Sequence, residues 1–212
     1  NNERAGLLPS RAWKRASKRK PWFPGETLNV GIGQGYMLAT PLQLAVATAT
    51  IANKGQKPTP KFIRQDKSSG LADVSDKIAQ QQIPQPGSDA ARVQEITRVS
   101  DSHWDFIYKS MVNVVHGRKG TAQAIGRGSP YRMAGKTGTA QVIGIAQGER
   151  YDEEAIAERQ RDHALFVGFA PAIQPRVAVA VVIENGGSGS SAAAPIARKV
   201  FDWVMDLSLI HI

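Results

Sequence analysis

Cysteine is absent from the 212 residues, which excludes disulfides and thiol catalysis and fits any redox compartment. No run of about 18 apolar residues occurs, so no segment reads as a membrane-spanning helix. The first residues lack the basic, apolar and small-residue order of a secretory signal. His103, His116 and His163 are scattered, with neither thiolates nor paired carboxylates at ligand spacing, which argues against a metal centre; no cofactor is expected. Acidic residues are fewer than basic ones, 18 against 27, and the net charge of +9 suits an anionic partner such as nucleic acid, acidic lipid or cell-wall polymer.

What is present reads as one globular domain, since 42% hydrophobic residues in a chain of this length can bury a sizeable core. Residues Asn1 to Pro9 show no period. Arg11, Lys14, Arg15, Lys18, Arg19 and Lys20 crowd around Trp13 and Trp22, with Pro21 and Pro24 close behind, and read as a solvated basic loop. Gly31, Gly33 and Gly35 miss the dinucleotide fingerprint because Tyr36 stands where the last glycine belongs; they suggest a tight loop near the floor of a cleft. Thr40-Pro41-Leu42-Gln43 is a capping box and predicts a helix to about Asn53, ended by Gly55. Residues 56–91, rich in Lys, Gln, Ser and Pro, read as a surface insertion with a short strand near Lys61-Phe62-Ile63.

A second helix opens at Ser102 and places Trp104, Ile107, Tyr108, Met111, Val114 and Val115 on one face before Gly117. Thr121 to Ile125 adds a helical turn. The acids between Glu149 and Asp162 alternate with Arg150, Arg159 and Arg161, the pattern of a solvated helix around Glu153 to Arg159 and not of glycosidase carboxylates. Ala164–Ala170 and Val177–Ile183 have strand length and predict a hairpin at the centre of a sheet. After a flexible turn at Gly186 to Ser190, a helix from Ala192 to about Met205 is expected to pack through Ile196, Val200, Phe201 and Val204. Residues 207–212 break that pattern and read as a non-native tail.

The chemistry concentrates in Arg132 to Val142. Lys136-Thr137-Gly138-Thr139 sets a cation, two hydroxyls and a bare backbone position side by side in a strand-like stretch. Alternation sends Thr137 and Thr139 to one face and Lys136 to the other, while Gly138 lets a ligand approach the backbone. On a sheet edge beside a cleft, such a strand can pair with an extended peptide while its hydroxyls and ammonium bind a carboxylate.

Lys136-Thr137-Gly138 is similar to the Lys-Thr-Gly signature that accompanies Ser-x-x-Lys and Ser-x-Asn in penicillin-binding proteins and serine β-lactamases. The runs Gly31-Ile32-Gly33-Gln34-Gly35-Tyr36, Ala39 to Leu44 and Ile51 to Gly55 resemble those of class B penicillin-binding proteins at the corresponding distance before that signature. Asp162 to Pro171 and Val181 to Gly187 resemble their last two strands, and Trp13-Lys14-Arg15 through Glu26 resembles the elongation-specific subgroup.

The resemblance, running from about Trp13 to Met205, implies an α/β transpeptidase fold: an antiparallel sheet covered by helices, N-terminally truncated, with residues 1–206 as the C-terminal portion of the domain. It implies a D,D-transpeptidase in which a serine attacks a D-Ala-D-Ala stem peptide and hands the acyl group to an acceptor strand. Lys136 would complete the proton-transfer network, Thr137, Gly138 and Thr139 would bind substrate, and the Thr139 amide would be an oxyanion-hole donor. β-Lactams, a membrane glycan polymerase and the periplasmic face of the inner membrane, reached through an N-terminal anchor outside this chain, are implied as well; nucleic acid is not.

No credible nucleophile is visible. Ser17-Lys18-Arg19-Lys20 fits Ser-x-x-Lys formally but sits among like charges with no apolar face behind it, and Ser100-Asp101-Ser102 is a poor Ser-x-Asn. This chain alone is therefore expected to be inactive. Gly135-Lys136-Thr137 is not a phosphate loop, since Pro130 stands where a glycine is needed. A non-catalytic basic module for anionic polymer or membrane surface is the alternative reading.

Overall fold

A computed structural model of the chain describes residues 4–60, 99–142 and 156–209. Most of the expected insertion over 56–91, including the strand at Lys61–Ile63, and the first part of the expected Glu153 helix lie outside the described residues. Three helices lead: α1 Arg11–Lys18, α2 Pro24–Gly31 and α3 Pro41–Ala52. They are followed by α4 Asp101–His116, the short α5 Gln123–Gly126 and strand β1 Ala134–Ala140. A 3-10 turn at Glu158–Gln160 precedes β2 His163–Ala170 and β3 Val177–Ile183, and a π-helical turn at Gly189–Ala193 runs into α6 Ala194–Leu209. The helix thus continues past Met205, the end expected for it.

The strands pair antiparallel in the order β1-β2-β3. The hairpin expected at the sheet centre contributes only β2 to that position among the described residues; β3 lies outermost and is half-buried along its whole length. Opposed residues share a face, so the register sorts the side chains into two layers. On one face Met133, Phe166 and Ala170 meet Val115, Ile125, Ala194, Ala197 and Phe201. On the other, Ala134 and Phe169 meet Ala52 of α3 and Met111 of α4. Helices therefore cover both faces and leave the β1 edge, where the charged strand lies, to the side.

The expected α6 stripe holds at Phe201 but not at Ile196 and Val200. Ile196 and Val200 are 42% and 38% exposed, whereas Ala193, Ala194, Ala197 and Phe201 are fully buried. Small residues let the helix axis approach the sheet, so closeness of packing, not side-chain size, selects the inner face. Beside it, Tyr131 Oη donates to Asp202 at 2.6 Å, while Arg198 Nε reaches both Asp202 oxygens at 2.7 and 2.8 Å and its terminal nitrogen donates to Ile125 O at 2.5 Å. This clasp fastens α6 to the α5–β1 connection.

Two boundaries follow caps. In α3, Thr40 and Gln43 exchange both capping-box bonds, at 2.9 and 3.2 Å. In α4 the cap is Ser100, two residues before the expected Ser102, and its hydroxyl contacts Ser102 Oγ and His103 Nδ1 at 2.9 and 2.8 Å.

The basic run is largely solvated, as expected, but Arg11–Lys18 of it is a helix and not a loop. Ser10 accepts from Trp13 N at 3.1 Å and opens α1, and Arg19, at φ 53°, closes it. Lys14 is 2% exposed, pairs with Glu26 and lies 4.5 Å from the Phe23 ring centroid. Its hydrogen bond, then the Phe23 N–H, holds Glu26 below the usual carboxylate range. The long lysine stem is buried and its charge is answered twelve positions later, which no local pattern announces. The segment before α1 is tied too, with Leu7 and Leu38 exchanging backbone bonds of 2.8 and 3.0 Å.

Candidate functional site

β1 carries Lys136, Thr137, Gly138 and Thr139 on one edge of the described sheet. Thr137 lies opposite Phe166 and Thr139 opposite Ala164, whereas Lys136 lies opposite Val167. The two threonines therefore share the face covered by α6 and the lysine takes the other, as alternation requires. Lys136 and Thr139 are exposed; Thr137 and Gly138 are half-buried.

Three hydrogen bonds define which way the strand backbone points. Met133 N–H donates to His116 Nε2 at 3.0 Å, Thr137 O accepts from Lys136 Nζ at 2.5 Å, and Thr139 O accepts from Gln34 Nε2. All three partners lie off the β2 side. In an antiparallel pair the N–H and C=O of one residue point the same way and alternate along the strand. The N–H groups of Thr137 and Thr139 consequently face the open edge, where an extended chain can pair with them.

The site strand is held from several directions. Thr121 Oγ1 meets Thr137 Oγ1 at 2.9 Å. His116 accepts the Met133 N–H as a neutral imidazole; burial first, then the charges of Arg132 and Arg198, push its pKa below the ordinary histidine value. From behind, Gly189 lies flush on the backbone, where a side-chain carbon would run into Leu165 O and Gly138 O. Gly135, just before the lysine, is pressed by the Phe166 ring.

An open groove of about 600 Å³ borders Lys136, lined by Ser110, Asn113, Arg118, Lys119 and Thr121. Three cations with hydroxyl and amide neighbours make it suited to a carboxylate-bearing ligand. Sequence reasoning singled out Lys136 and the threonines but not Thr121, His116 or Gln34. Only Gln34 left a signal, because Gly33 and Gly35 at φ 79° and 76° bracket it in the glycine loop already expected near the cleft.

Other candidates are placed elsewhere. Ser17 is exposed on α1 and donates to Trp13 O at 2.8 Å, and the helix ends at Lys18, so Lys20 does not stack one turn above it. His103 meets Ser100, and His163 accepts from Asn185 N at 2.9 Å. Among the described residues no three potential metal ligands converge, and no helix is long and apolar enough to cross a membrane.

The chain belongs to the family of penicillin-binding transpeptidase domains: residues 2–202 match the penicillin-binding protein transpeptidase domain. Among its relatives, the peptidoglycan D,D-transpeptidase MrdA of Acinetobacter baumannii is 43% identical over 95% of this chain and 28% of its own length. MrdA of Haemophilus influenzae is 37% identical over 98% of this chain and 30% of its own. A solved structure of Pseudomonas aeruginosa PBP2 in complex with WCK 5153 is similar with a TM-score of 0.63 and 40% identity, over 95% of this chain and 38% of that one. A complex of PBP2 and MreC from Helicobacter pylori gives a TM-score of 0.67 at 30% identity, covering 97% of this chain and 32% of that one. The chain thus spans less than a third of the length of these curated relatives.

Proposed function

We propose that this chain forms the substrate-gripping part of a peptidoglycan D,D-transpeptidase that cross-links stem peptides during cell elongation. The observation that carries the reading is the Lys136-Thr137-Gly138-Thr139 strand, edge-on to a cationic groove with its Thr139 amide facing outward. In the reaction a serine hydroxyl attacks the carbonyl of the D-Ala-D-Ala bond, the C–N bond breaks, and the terminal D-Ala departs as the protonated amine. An amine of a neighbouring stem peptide then attacks the ester and releases the serine. Lys136 stabilises and relays the proton beside that serine, Thr137 and Thr139 hold the donor carboxylate, and the Thr139 N–H binds the developing oxyanion. Ser17, the formal Ser-x-x-Lys match, lies exposed on α1 and is not proposed as the nucleophile.

β-Lactams imitate the donor and are the natural probes. The working site is the periplasmic face of the inner membrane, beside a glycan polymerase. In a full-length protein carrying this chain, fluorescent penicillin should label one serine, and Lys136→Ala should abolish labelling without unfolding the domain. Undiminished labelling of that variant refutes the assignment. The 212-residue chain alone should remain unlabelled; a label on Ser17 that vanishes in Ser17→Ala would overturn the reading.

A further inference from the structure

We infer that Thr121 is a positioning residue for carboxylate recognition: its hydroxyl, 2.9 Å from that of Thr137, turns the Thr137 hydrogen toward the ligand, so that the site strand meets an anion with a donor already aimed. This rests on the transpeptidase reading above and adds to it a residue 16 positions before the threonine it orients.

The base from which Thr121 reaches is fixed. Gly117 ends α4, Gly120 N donates to Gly117 O at 2.9 Å, and Ala122 N donates to Val114 O at 3.0 Å. A β-carbon on Gly120 would run into Asn113 O and Val114 O, so the connection lies flush on the last turn of α4. Ala122 is buried in the core that also holds Val115 and Phe166. Thr121 stands between these two closely packed neighbours with its own side chain exposed, whereas Thr137 is half-buried. Its hydroxyl therefore fills no space in the core, and what it contributes is direction.

A threonine hydroxyl has one hydrogen and two lone pairs. If Thr137 spends its hydrogen on Thr121, only lone pairs face a carboxylate and repel it. If Thr121 is the donor, the Thr137 hydrogen is free. Two things select the second arrangement. Thr121 lines the groove that also holds Arg118, Lys119 and Lys136, and in a positive field a hydroxyl turns its oxygen to the cations and its hydrogen away. A carboxylate, which has no hydrogen to give, imposes the same order once bound. The hydrogen bonds from Thr121 to Thr137 and from Thr137 to the carboxylate then run in one direction, and each polarises the next. The carboxylate itself does not react. The gain is made in ground state and transition state alike, so it belongs to affinity and not to the acylation step.

The test uses a full-length protein carrying this chain and a fluorescent penicillin, with the affinity of the initial complex separated from the acylation rate constant. Thr121→Val keeps the shape of the side chain and removes the hydroxyl; Thr121→Ser keeps the hydroxyl. In Thr121→Val the initial affinity should fall about three- to tenfold, the worth of one net hydrogen bond, with the acylation rate constant changed far less. The melting temperature should stay within about 2 °C, because the side chain is exposed. Thr121→Ser should bind within about twofold of the unsubstituted protein. In Thr137→Val, which has no hydroxyl to orient, adding Thr121→Val should cost nothing further. Unchanged affinity in Thr121→Val, an equal loss in Thr121→Ser, or losses that multiply in the double variant overturn the role of Thr121 while leaving the transpeptidase reading in place. Failure of the unsubstituted protein to label overturns both.

Discussion

Gly135 is the position where the packing behind the site can be tested most directly. A β-carbon there would fall against Phe166 Cζ, 2.9 Å from Phe166 Cε2 and 3.0 Å from Val167 O. The ring has nowhere to go. It is fully buried, and it also lies over Gly168 on the neighbouring strand, where a β-carbon would stand 2.8 Å from Cε1. Gly135→Ala therefore forces either the ring or the strand to move, the overpacking case that costs about 1–3 kcal/mol. At about 2–4 °C per kcal/mol for a chain of this size, the midpoint of thermal unfolding should drop by roughly 4–8 °C for a cost near 2 kcal/mol. Phe166→Leu alone should cost about 1 kcal/mol or more by leaving part of the ring space empty. Combined, the two changes should relieve each other by at least about 0.5 kcal/mol, because the removed ring atoms are those the new methyl meets. Thermal unfolding of the four proteins gives the cycle. Additive losses, or an unchanged midpoint in Gly135→Ala, would show that the ring does not brace the strand. Because Gly135 precedes Lys136, the single variant in a full-length protein carrying this chain should also slow penicillin acylation, and the double variant should recover part of the rate.

Two further outcomes are expected. His116 is neutral and its folded pKa lies below its unfolded one, so the unfolded chain binds the extra proton first. Its contribution is therefore complete above about pH 6.5 and declines as the pH falls through the folded value. His116→Gln, which accepts the Met133 N–H without titrating, should flatten the loss of thermal stability between about pH 7 and 5; equal slopes in the two proteins refute this. In the α6 clasp, Tyr131→Phe should cost about 1 kcal/mol, since Asp202 retains Arg198, whereas Arg198→Ala should cost more by removing both bonds to Asp202 and the one to the Ile125 carbonyl. Urea unfolding that ranks the two the other way would refute this reading of the clasp.

The elements legible in the sequence are those whose cause is local. The capping box at Thr40, the alternation through Lys136 and the two apolar runs of β2 and β3 each state their structure within a few residues, and each forms as expected. What stayed hidden depends on a partner far along the chain. The helix α1 was obscured by six cations and two prolines, yet eight residues fit between Ser10 and Arg19 once Glu26 answers Lys14. On α6 the expected Phe201 is buried, whereas Ile196 and Val200 give way to alanines, which pack closer to the sheet. The cap of α4 shifted because Ser100 and Ser102 offer the same chemistry two residues apart. For the site, Lys136 and its threonines were visible as a motif; Thr121, His116 and Gln34 act through their reach to β1, and distance in sequence concealed them.

Gly189 carries a last consequence. Where most functional strands are backed by side chains that mutation can trim or enlarge, this one rests at Gly138 on bare peptide. Such a foundation cannot be loosened by degrees, because any added carbon collides and there is nothing to shave away. Variation that retunes reactivity while sparing the fold must then enter from the solvent side, through the groups that lean on the rim.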